Sequence, residues 1–124
     1  MKNNLILIKI LFIFFYTTII NATNLEISSS EVKIDKKQSL ILLKGSIKAS
    51  DKNNNILKAD EAEYSKDKDL LSSVGFTTIL TGENYILESS NVIFDNKNNS
   101  IKSDFPTKII DPDGNVIFVK MFNY

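Results

Sequence analysis

The chain reads as all-β, built from antiparallel strand pairs that repeat every 30 residues behind a signal-peptide helix. In the stretch LKADEAEY, apolar or small residues occupy Leu57 and Ala59, acids follow at Asp60 and Glu61, and Ala62 and Tyr64 resume the pattern. That is period-2 alternation with a one-residue slip, which a strand accommodates as a bulge that re-aims its side chains. The same spacing recurs at Ile27, Ser29, Val32 and Ile34, at Leu87, Ser89, Val92 and Phe94, and at Ile117, Val119, Phe122 and Tyr124. The offsets are 57 − 27 = 30, 87 − 57 = 30 and 117 − 87 = 30. A fixed period of this length determines architecture before any local assignment is made. After residue 22 no segment has helical spacing, and β-branched residues dominate.

Residues 1–22 carry Lys2, an apolar run from Leu5 to Ile20 broken by Lys9, and a small residue at Ala22. A positive start, an apolar core and a small residue read as a secretory signal peptide cleaved after Ala22. The competing reading is a retained anchor, although the run of 20 − 5 + 1 = 16 residues falls short of the ~20 that span a bilayer. Both readings export the chain.

Leu25 opens a first strand, Asp35 to Ser39 forms a polar turn, and a return strand starts at Leu40 and reaches Gly45, with Ile47 and Ala49 alternating beyond it. Asp51 to Asn55 closes the unit with residues that tolerate left-handed backbone. The second unit runs Leu57 to Tyr64, turn Ser65 to Asp69, and a return from Leu70 past Gly75. In the third, after Leu87 to Phe94, matching Leu70 to Ile101 implies a turn one residue longer and puts Pro106 where the glycine stood. Asp111-Pro112-Asp113-Gly114-Asn115 is a turn, with proline fixing one φ and glycine supplying a positive one. Val116 to Tyr124 repeats the opening strand and stops where the next turn is due, so the expectation is a domain over 23–124 that is the front piece of a longer protein. An uncovered strand there would be a pairing hazard.

Composition narrows the chemistry. No cysteine or histidine occurs, and all 15 basic residues are lysines balanced by 15 acids. Thiolate nucleophiles, imidazole bases and the usual zinc ligands are excluded, and no cofactor or metal is expected. Without residues 1–22 the balance is 13 − 15 = −2, which gives no electrostatic footprint for nucleic acid. Asp60-Glu61 sits at the slip, where the other units have Ser30-Glu31 and Ser90-Asn91, so it reads as part of the bulge rather than as an acid–base pair. Asp111 and Asp113 lack the downstream ligands of a calcium loop. Asn21-Ala22-Thr23 and Asn98-Asn99-Ser100 match the glycosylation sequon by chance, and the turn lysines read as solvated.

The unit [I/L]-x-[A/S]-x-x-[V/A]-x-[Y/F/I], followed by a polar turn, a strand and a glycine, resembles the OstA-like repeat, above all in LKADEAEYSKDKDLLSSVG. That family comprises LptA, LptC and the N-terminal domain of LptD. The end DPDGNVIFVKMFNY looks most like the LptD N-terminal domain, although the membrane barrel of LptD is absent from these residues. The resemblance implies a non-enzymatic β-jellyroll, or folded β-taco, in the periplasm. Its location would be at the outer membrane, or on the inner membrane if the anchor is retained. The implied partners are lipopolysaccharide, whose acyl chains an apolar groove shields, and other transport proteins joined by edge-strand addition. Lipid-facing residues would then be Ile27, Val32, Ile34, Leu57, Ala62, Tyr64, Leu87, Val92, Phe94, Ile117, Val119 and Phe122.

Periodicity does not separate such a groove from an ordinary β-sandwich core. A structural or adhesive exported β-repeat protein with a self-filled core is therefore the alternative. An envelope enzyme would have only carboxylates, hydroxyls and lysines to work with.

Overall fold

A computed structural model describes residues 25–124; the leader expected over 1–22 lies outside the described residues. Eleven strands form a single sheet: β1 (Glu26–Ser28), β2 (Glu31–Asp35), β3 (Leu40–Ser50), β4 (Ile56–Ser65), β5 (Leu70–Leu80), β6 (Ile86–Ser90), β7 (Ile93–Asp95), β8 (Ser100–Ser103), β9 (Thr107–Ile110), β10 (Val116–Val119) and β11 (Phe122–Asn123). All described pairings are antiparallel. The strands join end to end into seven long runs, each paired with the next in sequence. Four are outgoing runs (β1/β2, β4, β6/β7, β10/β11) and three are return runs (β3, β5, β8/β9). The sheet is thus an antiparallel meander, as the repeat predicts.

Every outgoing run changes phase near its middle, whereas a return run such as β5 keeps one parity, with Leu71, Ser73, Thr77 and Ile79 all buried. In β4 Ala59 and Ala62 are both buried while Asp60 and Glu61 between them are both exposed, the slip read from LKADEAEY. This flip turns two half-sheets, which straight strands would face oppositely, onto one core. One correction concerns where the extra residue sits. The register shifts between Lys44 and Ile47 on β3 and between Ala59 and Glu61 on β4, so Gly45-Ser46 and Gly75-Phe76 each oppose the single Asp60. The bulged strands are the return runs, because Gly45 and Gly75 both adopt φ +77, which costs glycine least.

The crease between the half-sheets interrupts the main-chain ladder, and short polar side chains repair it. Val92 N donates to Ser73 Oγ at 2.8 Å, Gly75 N to Asn91 Oδ1 at 2.8 Å, and Phe105 N to Ser103 Oγ at 3.1 Å. Ser103 Oγ donates to the Ser90 carbonyl at 2.6 Å. Thr77 Oγ1 lies 2.7 Å from Ser73 Oγ, and Thr107 Oγ1 lies 2.8 Å from Ser89 Oγ. All five of these hydroxyl residues are buried, and among the described residues no buried side-chain nitrogen or oxygen lacks a partner. An unpaired hydroxyl in such a place would cost about 1–3 kcal/mol.

The third unit keeps the period, which corrects the longer turn expected there. β3, β5 and β8 begin at Leu40, Leu70 and Ser100, so Ile101 is the counterpart of Leu71 and Ile41. The first position of a return run is only half-buried, and Ser100 fills it without an apolar side chain. Phe105 therefore takes the glycine place. Pro106 stands between β8 and β9, where no N–H is needed.

Turns repeat as faithfully as strands. Asn54, Asn84 and Gly114 have φ of 62, 67 and 86, and Ser39, Asp69 and Asn99 have φ of 53, 48 and 51. Asp51 Oδ1 accepts from the N–H groups of Asn53 and Asn55, and Asp111 Oδ1 from those of Asp113 and Asn115. The acids of Asp111-Pro112-Asp113-Gly114 thus build a turn. The Asn115 side chain, more than the main-chain donors, holds the Asp111 carboxyl below its ordinary range. Turns of neighbouring units also touch: Gly82 N donates to Asn55 Oδ1 at 2.9 Å, and a Cβ on Gly82 would overlap the Asn53 carbonyl oxygen.

Candidate functional site: the inner rows and the two sheet edges

Antiparallel register lines equivalent residues of successive runs into rows on the inner face. One row runs Ile27, Ala49, Leu57, Ile79, Leu87, Ile109, Ile117. Across the crease a second runs Ile34, Ile41, Tyr64, Leu71, Phe94, Ile101, and Tyr124 extends it through main-chain bonds of 2.8 and 3.0 Å to Ile101. The middle of both rows is sealed: Leu57, Leu71, Ile79, Leu87, Val92, Phe94 and Ile101 form one packed core with Leu43, Ile47 and Ala62. Each of these side chains larger than alanine contributes about 1.5–3 kcal/mol by leaving water.

The rows open at their ends. Among the residues predicted to face lipid, Leu57, Ala62, Leu87, Val92 and Phe94 belong to the packed middle. Ile27, Tyr64, Val119 and Phe122 are half-buried. Val32, Ile34 and Ile117 lie in the open at 59 %, 64 % and 49 % exposure. The register brings all twelve to the inner side of the sheet. Tyr64 has a polar task as well, since its hydroxyl donates to Asp69 Oδ1 at 2.7 Å. Burial first, then this bond and the charge of Asp69, push the Tyr64 hydroxyl well above its ordinary value of 10.0.

The two edge runs occupy the same repeat position, 116 − 26 = 90 residues apart, yet differ in character. On the N-terminal edge the outward side chains are Glu26, Ser28, Glu31 and Lys33. Their C-terminal counterparts are Val116, Phe118, Met121 and Asn123, with Lys120 the sole charge of β10/β11. Phe118 and Met121 are 77 % and 63 % exposed. Beside this edge a shallow depression of about 340 Å³ opens over the crease between Phe76, Pro106 and Phe118, with Lys108 and Glu88 on its rim 3.5 Å apart.

Sequence reasoning missed an apolar row on the outer face. Ile56, Leu80, Ile86, Ile110 and Val116 are register partners pointing away from the core. Its signal was present in the doublets Ile56-Leu57, Ile79-Leu80, Ile86-Leu87, Ile109-Ile110 and Val116-Ile117, where both faces of a strand are apolar at once. Among the described residues no group of three or more acids is placed to hold a metal ion.

A folded antiparallel sheet with a packed middle and apolar rows open at both ends is the jellyroll, or folded taco, that the repeat implied. Among solved structures the chain is similar to the crystal structure of LptH from Pseudomonas aeruginosa, described as the LptA-homologous periplasmic component of the lipopolysaccharide transport device. The TM-score is 0.69 at 14 % identity, over 82 % of this chain and 76 % of that one. At this identity the likeness establishes the fold. No protein-family model matches the sequence, and no curated protein sequence matches it either.

Proposed function

We propose that the chain is a non-enzymatic, periplasmic module of lipopolysaccharide transport. Its inner apolar rows shield acyl chains where they emerge at the sheet ends, and its edges join neighbouring transport domains. The observation that carries this reading is the exposure of Ile34 and Ile117 at opposite ends of inner rows, in a sheet with the fold of a transport component. Apolar surface of this kind gains ~25 cal/mol per Å² by covering lipid and asks for no catalytic group. Assignment to the LptD type rests on DPDGNVIFVKMFNY alone, whereas the structural likeness is to an LptA homologue. We therefore place the chain with the bridge-forming members, exported by its leader.

The test is photo-crosslinking in living Gram-negative cells, with the crosslinker at Ile34 or Ile117, both inward, and at Lys33, outward, as control. Lipopolysaccharide adducts at 34 and 117 and none at 33 are expected. No adduct at any of the three, from exported and folded protein, refutes the transport role. One observation favours a second reading, an exported structural β-repeat protein: the middle of each row is filled by the chain's own side chains.

A further inference from the structure

We propose that the outer face of the sheet carries a binding site for a sugar phosphate, in a depression between Lys48, Lys58 and Phe76. The site lies on the opposite face from the inner rows and does not rest on the transport reading.

The repeat sets two depressions on the outer face at equivalent places. The one described above is lined by Phe76, Glu88, Ser90, Pro106 and Lys108. Thirty residues earlier stand Ser46, Lys58, Asp60, Phe76 and Thr78, which line a depression of about 600 Å³. Small-molecule sites commonly enclose about 300–1,000 Å³. The strands beneath it, β3, β4 and β5, are each paired on both sides, so its walls do not depend on either end of the sheet.

Charge separates the two depressions. In the first, Glu88 lies 3.5 Å from Lys108 and the lining charge is 1 − 1 = 0. In the second, the register sets Lys48 directly opposite Lys58. Like charges so placed, with Cβ atoms about 4.5–5.5 Å apart, repel each other. Their row continues with Ser28 on one side and Thr78 on the other, and neither hydroxyl neutralises an ammonium. Among the described residues neither lysine makes an ion pair or a side-chain hydrogen bond. Asp60 is the acid of the lining, which leaves 2 − 1 = +1.

Backbone strain marks the same place. Gly45 supplies the left-handed residue of the bulge, as Gly75 does in the next unit. Ser46 is left-handed as well, at φ 47, whereas its counterpart Phe76 is not. The bulge itself does not need that second strained residue, and strained non-glycine positions gather at ligand sites.

The lining chemistry selects the ligand. Two ammoniums on neighbouring strands act as point charges for the oxygens of one phosphate. Phe76, 67 % exposed, offers an apolar ring to the C–H face of a sugar. The Ser46 and Thr78 hydroxyls and the Asp60 carboxylate line the same depression as partners for sugar hydroxyls.

Glucosyl phosphate, titrated into the isotope-labelled exported chain and followed by NMR, tests the proposal. Saturating shifts are expected at the amides of Ser46, Lys48 and Lys58, with none at Glu88 and Lys108. Lys48→Gln with Lys58→Gln should weaken binding at least about tenfold through the lost charge-assisted bonds. Both side chains are exposed, and unchanged amide shifts elsewhere would show that this variant is folded. Phe76→Ala should reduce the affinity for glucosyl phosphate to that for inorganic phosphate. Absence of saturable shifts, equal shifts at both depressions, or binding that survives the double lysine variant overturns the proposal. Inorganic phosphate binding the unaltered chain as tightly as glucosyl phosphate also overturns it, and makes free phosphate the ligand.

Discussion

The two edge runs of the sheet are the same repeat position used twice, and they have opposite surfaces. At the N-terminal edge Glu26, Glu31, Lys33 and Asp35 line the outer side of β1/β2; at the C-terminal edge Val116, Phe118 and Met121 take the corresponding ground. Their inner faces are alike, with Ile34 exposed at one end and Ile117 at the other. Since the fold requires only the inner pattern, the outer difference is not a packing requirement. Charge on an edge strand discourages further pairing, and its absence permits it. The outer side of one run is charged and that of the other is apolar.

The largest expected effects come from moving one repeat position from the middle of a row to its ends. Leu57→Ala or Leu87→Ala should cost about 2–5 kcal/mol, because both side chains are sealed in the core. Ile117→Ala, at the same place on the open edge, should cost about 0.5 kcal/mol. Urea unfolding followed by circular dichroism would measure all three, and equal costs would mean that the edge is packed after all. Exchanging edge character is the next test. Glu26→Val with Glu31→Met should produce concentration-dependent association, read by light scattering. Val116→Glu with Met121→Glu, both exposed in the structure, should change stability by only about 0.5 kcal/mol, read in the same urea titration. If the Glu26→Val, Glu31→Met chain stays monodisperse, charge is not what distinguishes the two.

Smaller effects concern titration. The Tyr64 hydroxyl titrates above 10.0 in the folded chain, so its contribution is complete below that pH and is lost as pH rises beyond it. Tyr64→Phe should cost about 1 kcal/mol near neutral pH and flatten the alkaline limb of a thermal-stability profile. Smallest of all is the acid limb. The Asn98 side-chain bond, chiefly, holds Asp95 below its ordinary 3.8. This contribution is present above 3.8 and disappears as pH falls through the lower, folded value. Asp95→Asn should remove a decline confined to pH below 3.8, and solvent screening makes it slighter than the Tyr64 effect.

Much of this fold was legible because the repeat is written in the side chains that pack. The slip between Ala59 and Ala62 and the inward places of Ile27, Leu57, Leu87 and Ile117 follow from spacing, and the left-handed turns at Asn54 and Gly114 from residue type. Legibility failed where apolar identity was trusted over position. Leu70 and Ile101 look equivalent by apolar identity, but the first return position faces partly outward and Ser100 serves there. The slip points to a bulge on the outgoing strand, although the glycines that make it lie on the flanking runs. Whether Val32 or Phe94 would be open or sealed was not readable either. They share an inner face, and their burial depends on how many strands lie beyond each one.

The constancy of the 30-residue unit makes the molecule a ruler. Each unit adds one outgoing and one return run, and adjacent strands lie about 4.8 Å apart, so the sheet lengthens in steps of about 10 Å. Because the step contains two strands, inserting or removing a unit leaves the direction and the surface of both terminal runs unchanged. Span and connectivity are therefore independent variables in this architecture. A chain of this kind can change its length without changing the character of its terminal runs.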